Sequence, residues 1–89
     1  MPMLKLTEEV RLIKDDASEN YYLFCIQTGK HFRLNDVAYE MLKRLSDGKN
    51  RIEIVDCIVE HFDIDNSTCK MDLEALLSVL SENNLLINY

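Results

Sequence analysis

The chain of 89 residues has two glycines and one proline. So few backbone breakers leave no room for long irregular loops, and elements must follow one another closely. Its cysteines, Cys25, Cys57 and Cys69, are odd in number and form no CxxC pair. That excludes a self-contained disulfide framework and the usual zinc-finger ligand spacing. Reduced thiols in a cytoplasmic protein are expected instead. The opening "MPMLKLTEEV" lacks the long apolar segment of a secretory signal, and no apolar run approaches the ~18 residues of a membrane span. Basic residues are scarce: 10 Lys and Arg stand against 16 Asp and Glu, a net charge of −6. An acidic chain repels phosphate backbones, so nucleic acid is a poor partner and a neutral or basic peptide a better one.

Catalytic machinery is missing as well. His31 and His61 fall in separate elements and, with the cysteines, show no zinc-finger spacing, so no metal site is expected. Cys25 in "LFCI" and Cys57 in "IVDCIV" read as small core hydrophobes. Glu8, Glu9, Asp15, Asp16 and Glu19 sit in polar segments, where no burial raises a carboxyl into the range of a general acid. There is no Gly-rich phosphate loop and no nucleophile elbow. A non-enzyme without cofactor follows.

What remains is a patterned chain with 47% hydrophobic residues, enough for one small core. "EVRLIKD" alternates and predicts a strand over about 9–14. "DDASEN" is a polar turn. "YYLFCIQT" is a nearly continuous apolar run and predicts a strand over 21–28. Gly29 supplies the positive φ of a hairpin turn, and "KHFRL" returns as a strand over 30–34. Asn35 then caps a helix over 36–46, whose stripe is Val37, Ala38, Met41, Leu42 and Leu45. Asn50 and Glu53 are spaced as a capping box for a helix over 51–62. A third helix over 68–83 carries Leu73, Leu76, Leu77 and Leu80. It ends at Asn83-Asn84, and the apolar tail "LLINY" folds back onto the core. The expected class is α+β, a three-stranded antiparallel sheet followed by three helices in one domain.

If the strands pair in sequence order, residues 30 to 34 form a sheet edge able to accept another strand. On pattern alone, Lys30, His31 and Arg33 read better as charges that blunt this edge against aggregation.

"FRLNDVAYEMLKRL" followed by Gly48, then "RIEIVDCIVEHF", then "DLEALLSVLSENNLLI" resemble, in order and spacing, the PqqD-like family. The resemblance spans residues 9 to 87. One departure is Asn84, where the family commonly has Gly. The resemblance implies a winged helix-turn-helix-like fold that recognises the leader of a ribosomally made precursor peptide. The leader would add as a strand beside Lys30, His31, Phe32, Arg33 and Leu34, facing Cys69, Asp72, Leu76 and Val79 of the third helix. It turns the edge from a blunted surface into a binding one. The implied partners are the precursor leader and a modifying enzyme. That enzyme is a leader peptidase of a lasso-peptide pathway or, alternatively, a radical S-adenosylmethionine enzyme. A monomer or weak dimer is expected. A winged-helix DNA-binding regulator is the competing reading, against which the last helix sets Lys70 beside Asp72, Glu74 and Glu82.

Overall fold

The computed structural model describes residues 4–15, 17 and 20–88. Residues 16, 18 and 19, part of the expected polar turn, lie outside the described residues. Eight elements follow in order: β1 (Leu4–Leu6), β2 (Val10–Asp15), β3 (Asn20–Cys25), β4 (His31–Leu34), α1 (Asp36–Ser46), α2 (Arg51–Phe62), α3 (Asn66–Glu82) and β5 (Leu86–Asn88). The expected class holds. β2, β3 and β4 form a three-stranded antiparallel sheet in sequence order, and three helices follow it. A second, two-stranded ribbon that the sequence did not announce pairs β1 with β5, Lys5 opposite Ile87.

Strand alternation builds the core. Val10, Leu23, Cys25 and Leu34 are buried, with Leu12, Tyr21 and Phe32 packed beside them. Leu12, Leu23 and Phe32 are register partners and form one row across the sheet. α1 packs against all three strands. Met41, Leu42 and Leu45 from α1, Ile54, Val55 and Ile58 from α2, and Leu73, Leu77 and Leu80 from α3 complete the core. Each such side chain contributes roughly 1.5–3 kcal/mol on full burial, before chain entropy is subtracted. Among the described residues no polar or charged side chain is buried.

The helix ends obey local rules. Asn35 Oδ1 accepts the Ala38 N–H at 2.7 Å, so β4 passes into α1 through one residue. The Asn50–Glu53 capping box is reciprocal, with bonds of 2.9 and 3.1 Å. α3 begins at Asn66 rather than near residue 68, because Asp65 caps it through Thr68 N–H at 3.1 Å. Its C-terminus is a Schellman turn. Asn84 takes φ 58°, Leu85 N–H donates to Leu80 O at 2.9 Å, and Asn84 N–H donates to Ser81 O at 3.1 Å. Leu80 and Leu85 are both buried, so this turn aims β5 at β1.

β3 stops at Cys25, three residues short of expectation. The Cys25 carbonyl accepts Gly29 N–H at 2.9 Å, and Cys25 N–H donates to Lys30 O at 2.8 Å. The turn therefore closes over residues 26 to 28, with Gly29 at φ 73°. The apolar Ile26 had made those residues look like more strand, yet it is 53% exposed.

Two stability outcomes follow. Asn84→Gly leaves stability within a few tenths of a kcal/mol or raises it, whereas Asn84→Val costs about 1–2 kcal/mol, because a branched side chain clashes in the left-handed region. Leu23→Ala costs about 2–5 kcal/mol by opening a cavity at the sheet centre. Urea denaturation at constant m-value measures all three.

Candidate functional site

Four of the five strand positions, His31 to Leu34, form β4 at one edge of the sheet, and Lys30 stands just before it in the hairpin, so the strand starts one residue later than expected. β4 pairs only with β3, so its other side is open among the described residues. Antiparallel ladders alternate between bonded and non-bonded pairs. The Cys25–Lys30 bond fixes the phase: Leu23–Phe32 and Tyr21–Leu34 are bonded pairs, and Phe24–His31 and Tyr22–Arg33 are not. The N–H and C=O groups of His31 and Arg33 therefore point away from β3, towards the open edge. Their side chains lie on the exposed face. Phe32, half-buried, and Leu34, buried, turn their side chains inward, and only their flanks border the edge.

The sheet has a second edge at β2, but it is partly closed. Val10 N–H donates to Thr7 O at 3.2 Å, and the Val10 carbonyl accepts the Arg11 guanidinium at 2.9 Å. Comparable bonds do not fill the outward groups of His31 and Arg33 among the described residues. β4 is thus the better acceptor for a strand.

On α3 the structure corrects one residue. Cys69 is fully buried and belongs to the core stripe with Leu73, Leu77 and Leu80. Its Sγ sits 4.0 Å from the Val55 carbonyl. The spacing of four to Leu73 puts it on the core side of the helix, so it offers no surface to a ligand. Burial, with Asp72 adding to it, pushes its thiol up from the ordinary 9.0. Cys25 moves the other way, since hydrogen bonds from the Thr28 side chain and main chain lower it. Asp72, Leu76 and Val79 share one flank of α3. Asp72 is exposed, Leu76 half-buried against the core, and Val79 46% exposed. α3 packs mainly with α2, α1 and β5, so this flank lies on a helix whose main neighbours do not include β4.

A depression of about 770 Å³ opens at the end of the sheet beside Arg33 and Leu34, lined also by Lys14, Asn20, Tyr21, Asn35 and Asp36. Arg33 donates to Asn20 Oδ1 at 2.8 Å on its rim. The sequence reading missed this recess, because it is assembled from three strands and a helix start. A smaller one of about 270 Å³ lies between α2 and α3, at Ile52, Val55 and Leu73. Among the described residues no three His, Cys, Asp or Glu side chains converge to hold a metal ion, and no helix is long and apolar enough to cross a membrane.

The sequence pattern of the family described as coenzyme PQQ synthesis protein D (PqqD) matches residues 20–86, from the start of β3 into β5. The chain belongs to the PqqD family. Solved structures agree with that membership. TbiB1 in complex with the TbiA(beta) leader peptide is 32% identical, with 96% of each chain covered and a TM-score of 0.81. The PqqD truncation of Methylobacterium extorquens PqqCD, described as a stand-alone recognition element for ribosomally synthesized and post-translationally modified peptides, is 26% identical. It covers 94% of this chain and 87% of its own, with a TM-score of 0.77. A lasso peptide synthetase B1 complexed with its leader peptide shares the fold, with a TM-score of 0.80 at 22% identity over 96% and 98% of the two chains. No curated protein matches the chain. The PqqD fold is therefore the frame for β4 and α3. Asn84, where the resemblance implies Gly, itself takes the left-handed conformation.

The cysteines give a direct check of the helix phase. In the folded protein Cys69 resists iodoacetamide at about pH 8 and labels only in urea, while the half-buried Cys57 labels first. The pH dependence has a definite sign. A raised thiol keeps its full contribution to stability below 9.0 and loses it as pH climbs, because the unfolded chain releases that proton first. Cys69→Ala therefore loses less stability than wild type between about pH 8 and pH 10.

Proposed function

We propose that this PqqD-family chain is a non-catalytic binding protein. It takes the leader segment of a ribosomally made precursor peptide as an added strand on β4 and delivers the precursor to a modifying enzyme. The observation that carries this reading is the open edge of β4, where His31 and Arg33 direct N–H and C=O groups outward. An extended peptide satisfies those groups whatever its sequence. Lys30, beside β4 at the hairpin, has its carbonyl bonded to the Cys25 N–H and offers the peptide only its side chain. Phe32 and Leu34 floor the inner side, and Asp72, Leu76 and Val79 read the side chains that alternate towards α3. Asp72 is placed to pair with a basic leader residue. Cys69 acts only through the core that holds α3 in place. The complexes of TbiB1 and of the lasso peptide synthetase B1 with their leader peptides support this reading, as does the recognition element from PqqCD.

The favoured partner is the leader peptidase of a lasso-peptide pathway, a reading supported by the shared fold of a lasso peptide synthetase B1. A radical S-adenosylmethionine enzyme is the alternative partner. The free thiols Cys25, Cys57 and Cys69 suit the reducing cytoplasm, where precursor peptides are made. The DNA-binding reading has little support: α3 sets Lys70 against Asp72, Glu74 and Glu82, and Glu74 already pairs with Arg51 at 2.9 Å.

Titrating the ¹⁵N-labelled protein with the precursor's leader tests the site. The amides of His31 and Arg33 shift most and become protected from hydrogen exchange on binding. Strand addition fails as a description if these two stay still while another surface moves. Val79→Glu, on the helix flank, weakens leader binding by about tenfold or more, roughly 1.4 kcal/mol, with the melting temperature kept.

A further inference from the structure

The leader site uses the edge of β4 and the inner side of the sheet. The opposite face of the same sheet is left without an assigned task. Alternation places Arg11 and Ile13 of β2, Tyr22 and Phe24 of β3, and His31 and Arg33 of β4 there. The register lines them up in two rows, Ile13–Tyr22–Arg33 and Arg11–Phe24–His31. Tyr22 and His31 meet edge to face with centroids 6.5 Å apart. Ile13 is 43% exposed, and Ile13, Tyr22 and Phe24 neither belong to the core cluster nor pack against it. This face therefore presents an aliphatic side chain and two aromatic rings in rows that end on Arg11 and Arg33, in a chain whose net charge is −6. The Arg11 guanidinium donates to the Glu8 and Val10 carbonyls, and that of Arg33 donates to Asn20. Asp15, at the far end of β2, is the carboxylate on this side of the three strands among the described residues.

We propose that this outer face is where the modifying enzyme docks, through an apolar patch rimmed by carboxylates. The inference rests on the leader-binding reading, and charge carries the choice of occupant. Arg11 and Arg33 attract an acidic rim, while the acidic remainder of the chain turns it away from other surfaces. Two guanidiniums on an acidic chain are too few to hold a nucleic acid backbone. Aromatic and Arg side chains are also the types that dominate protein interfaces. The face is continuous with the leader site. A strand added to β4 alternates its side chains, so every second leader residue extends the Arg11 and Ile13 rows beyond His31 and Arg33. An enzyme seated there touches the sheet and the bound leader together, and so prefers the loaded protein to the empty one.

The test uses the full chain, the leader, and the enzyme whose modification of the precursor requires the chain. Arg11→Glu and Ile13→Ser both lie on β2, away from the leader edge. Each weakens enzyme binding by about tenfold or more, while leader affinity and melting temperature are kept. Wild-type enzyme binding also weakens as salt rises from about 0.05 to 0.5 M. Unchanged enzyme affinity in both variants overturns the proposal. So does a wild-type self-association, seen by sedimentation, that the variants abolish without affecting the enzyme, because the face then belongs to a second copy of the chain. Wild type that binds the enzyme through Arg11 and Ile13 but binds no leader keeps the docking face and removes the leader-binding reading instead.

Discussion

The register of β3 between its two neighbours governs this molecule. Leu23 is fully buried between Leu12 and Phe32, and that row seats the sheet on α1. Because side chains alternate with a period of two, a slip of one residue would bring Tyr22 and Phe24 inward and expose Leu23. A slip of β4 that turned Phe32 and Leu34 outward would likewise exchange the main-chain groups on its open edge. Core packing, the open edge and the composition of the outer face are thus three consequences of one pairing. Hydrophobic burial sets the register, and the main-chain geometry at His31 and Arg33 follows from it.

The basic residues of β4 illustrate how protection and recognition coincide. A short edge strand with charged side chains discourages pairing with a copy of itself, since two such edges bring like charges together. Lys30, beside β4, and Arg33, within it, sit where that repulsion acts. A peptide without that basic cluster meets no such penalty. The sequence pattern and the family resemblance therefore describe the same residues from two sides. In the proposed site charge would decide which strands the edge refuses, and the open main-chain groups what it accepts. The partly closed β2 edge, capped by Thr7 and Arg11 around Val10, leaves β4 as the side where a strand gains most.

Much of the fold was legible because its signals are local. Period-two alternation gave β2 and β4, helical stripes gave the three helices, and Asn35, Asn50 and Glu53 marked where two of them start. The failures were of two kinds. The β1–β5 ribbon joins three-residue segments from opposite ends of the chain, and nothing local in "LKL" or "LIN" says that they pair. The end of β3 depended on where Gly29 folds back, and a hydrogen bond to Cys25 decided it against the apolar Ile26. Cys69 was a different matter. Its spacing of three to Asp72 set it with the groove flank, whereas its spacing of four to Leu73, also in the sequence, puts it on the core stripe. The edge of β4 was legible in outline, whereas the recess at the sheet end was not, since it needs Lys14, Tyr21, Arg33 and Asp36 brought together.

Magnitudes show why β4 cannot be the whole of a peptide site. His31 and Arg33 offer an N–H and a C=O each, and a net gain of about 0.5–1.5 kcal/mol per bond gives a sum of only about 2–6 kcal/mol. The freedom lost on association costs at least about 4 kcal/mol, so main-chain pairing alone leaves little or no binding. Micromolar affinity needs a net of about 8 kcal/mol. The difference must come from side chains that the strand alternates towards α3, where Leu76 and Val79 are the apolar groups still incompletely covered. Burying such side chains, together with those of the peptide that cover them, contributes roughly 1.5–3 kcal/mol apiece. In the proposed site the strand edge would then set where and in what register a peptide lies, and the helix flank which peptide stays. That division follows from the four-residue length of β4, too short to hold a ligand by its backbone alone.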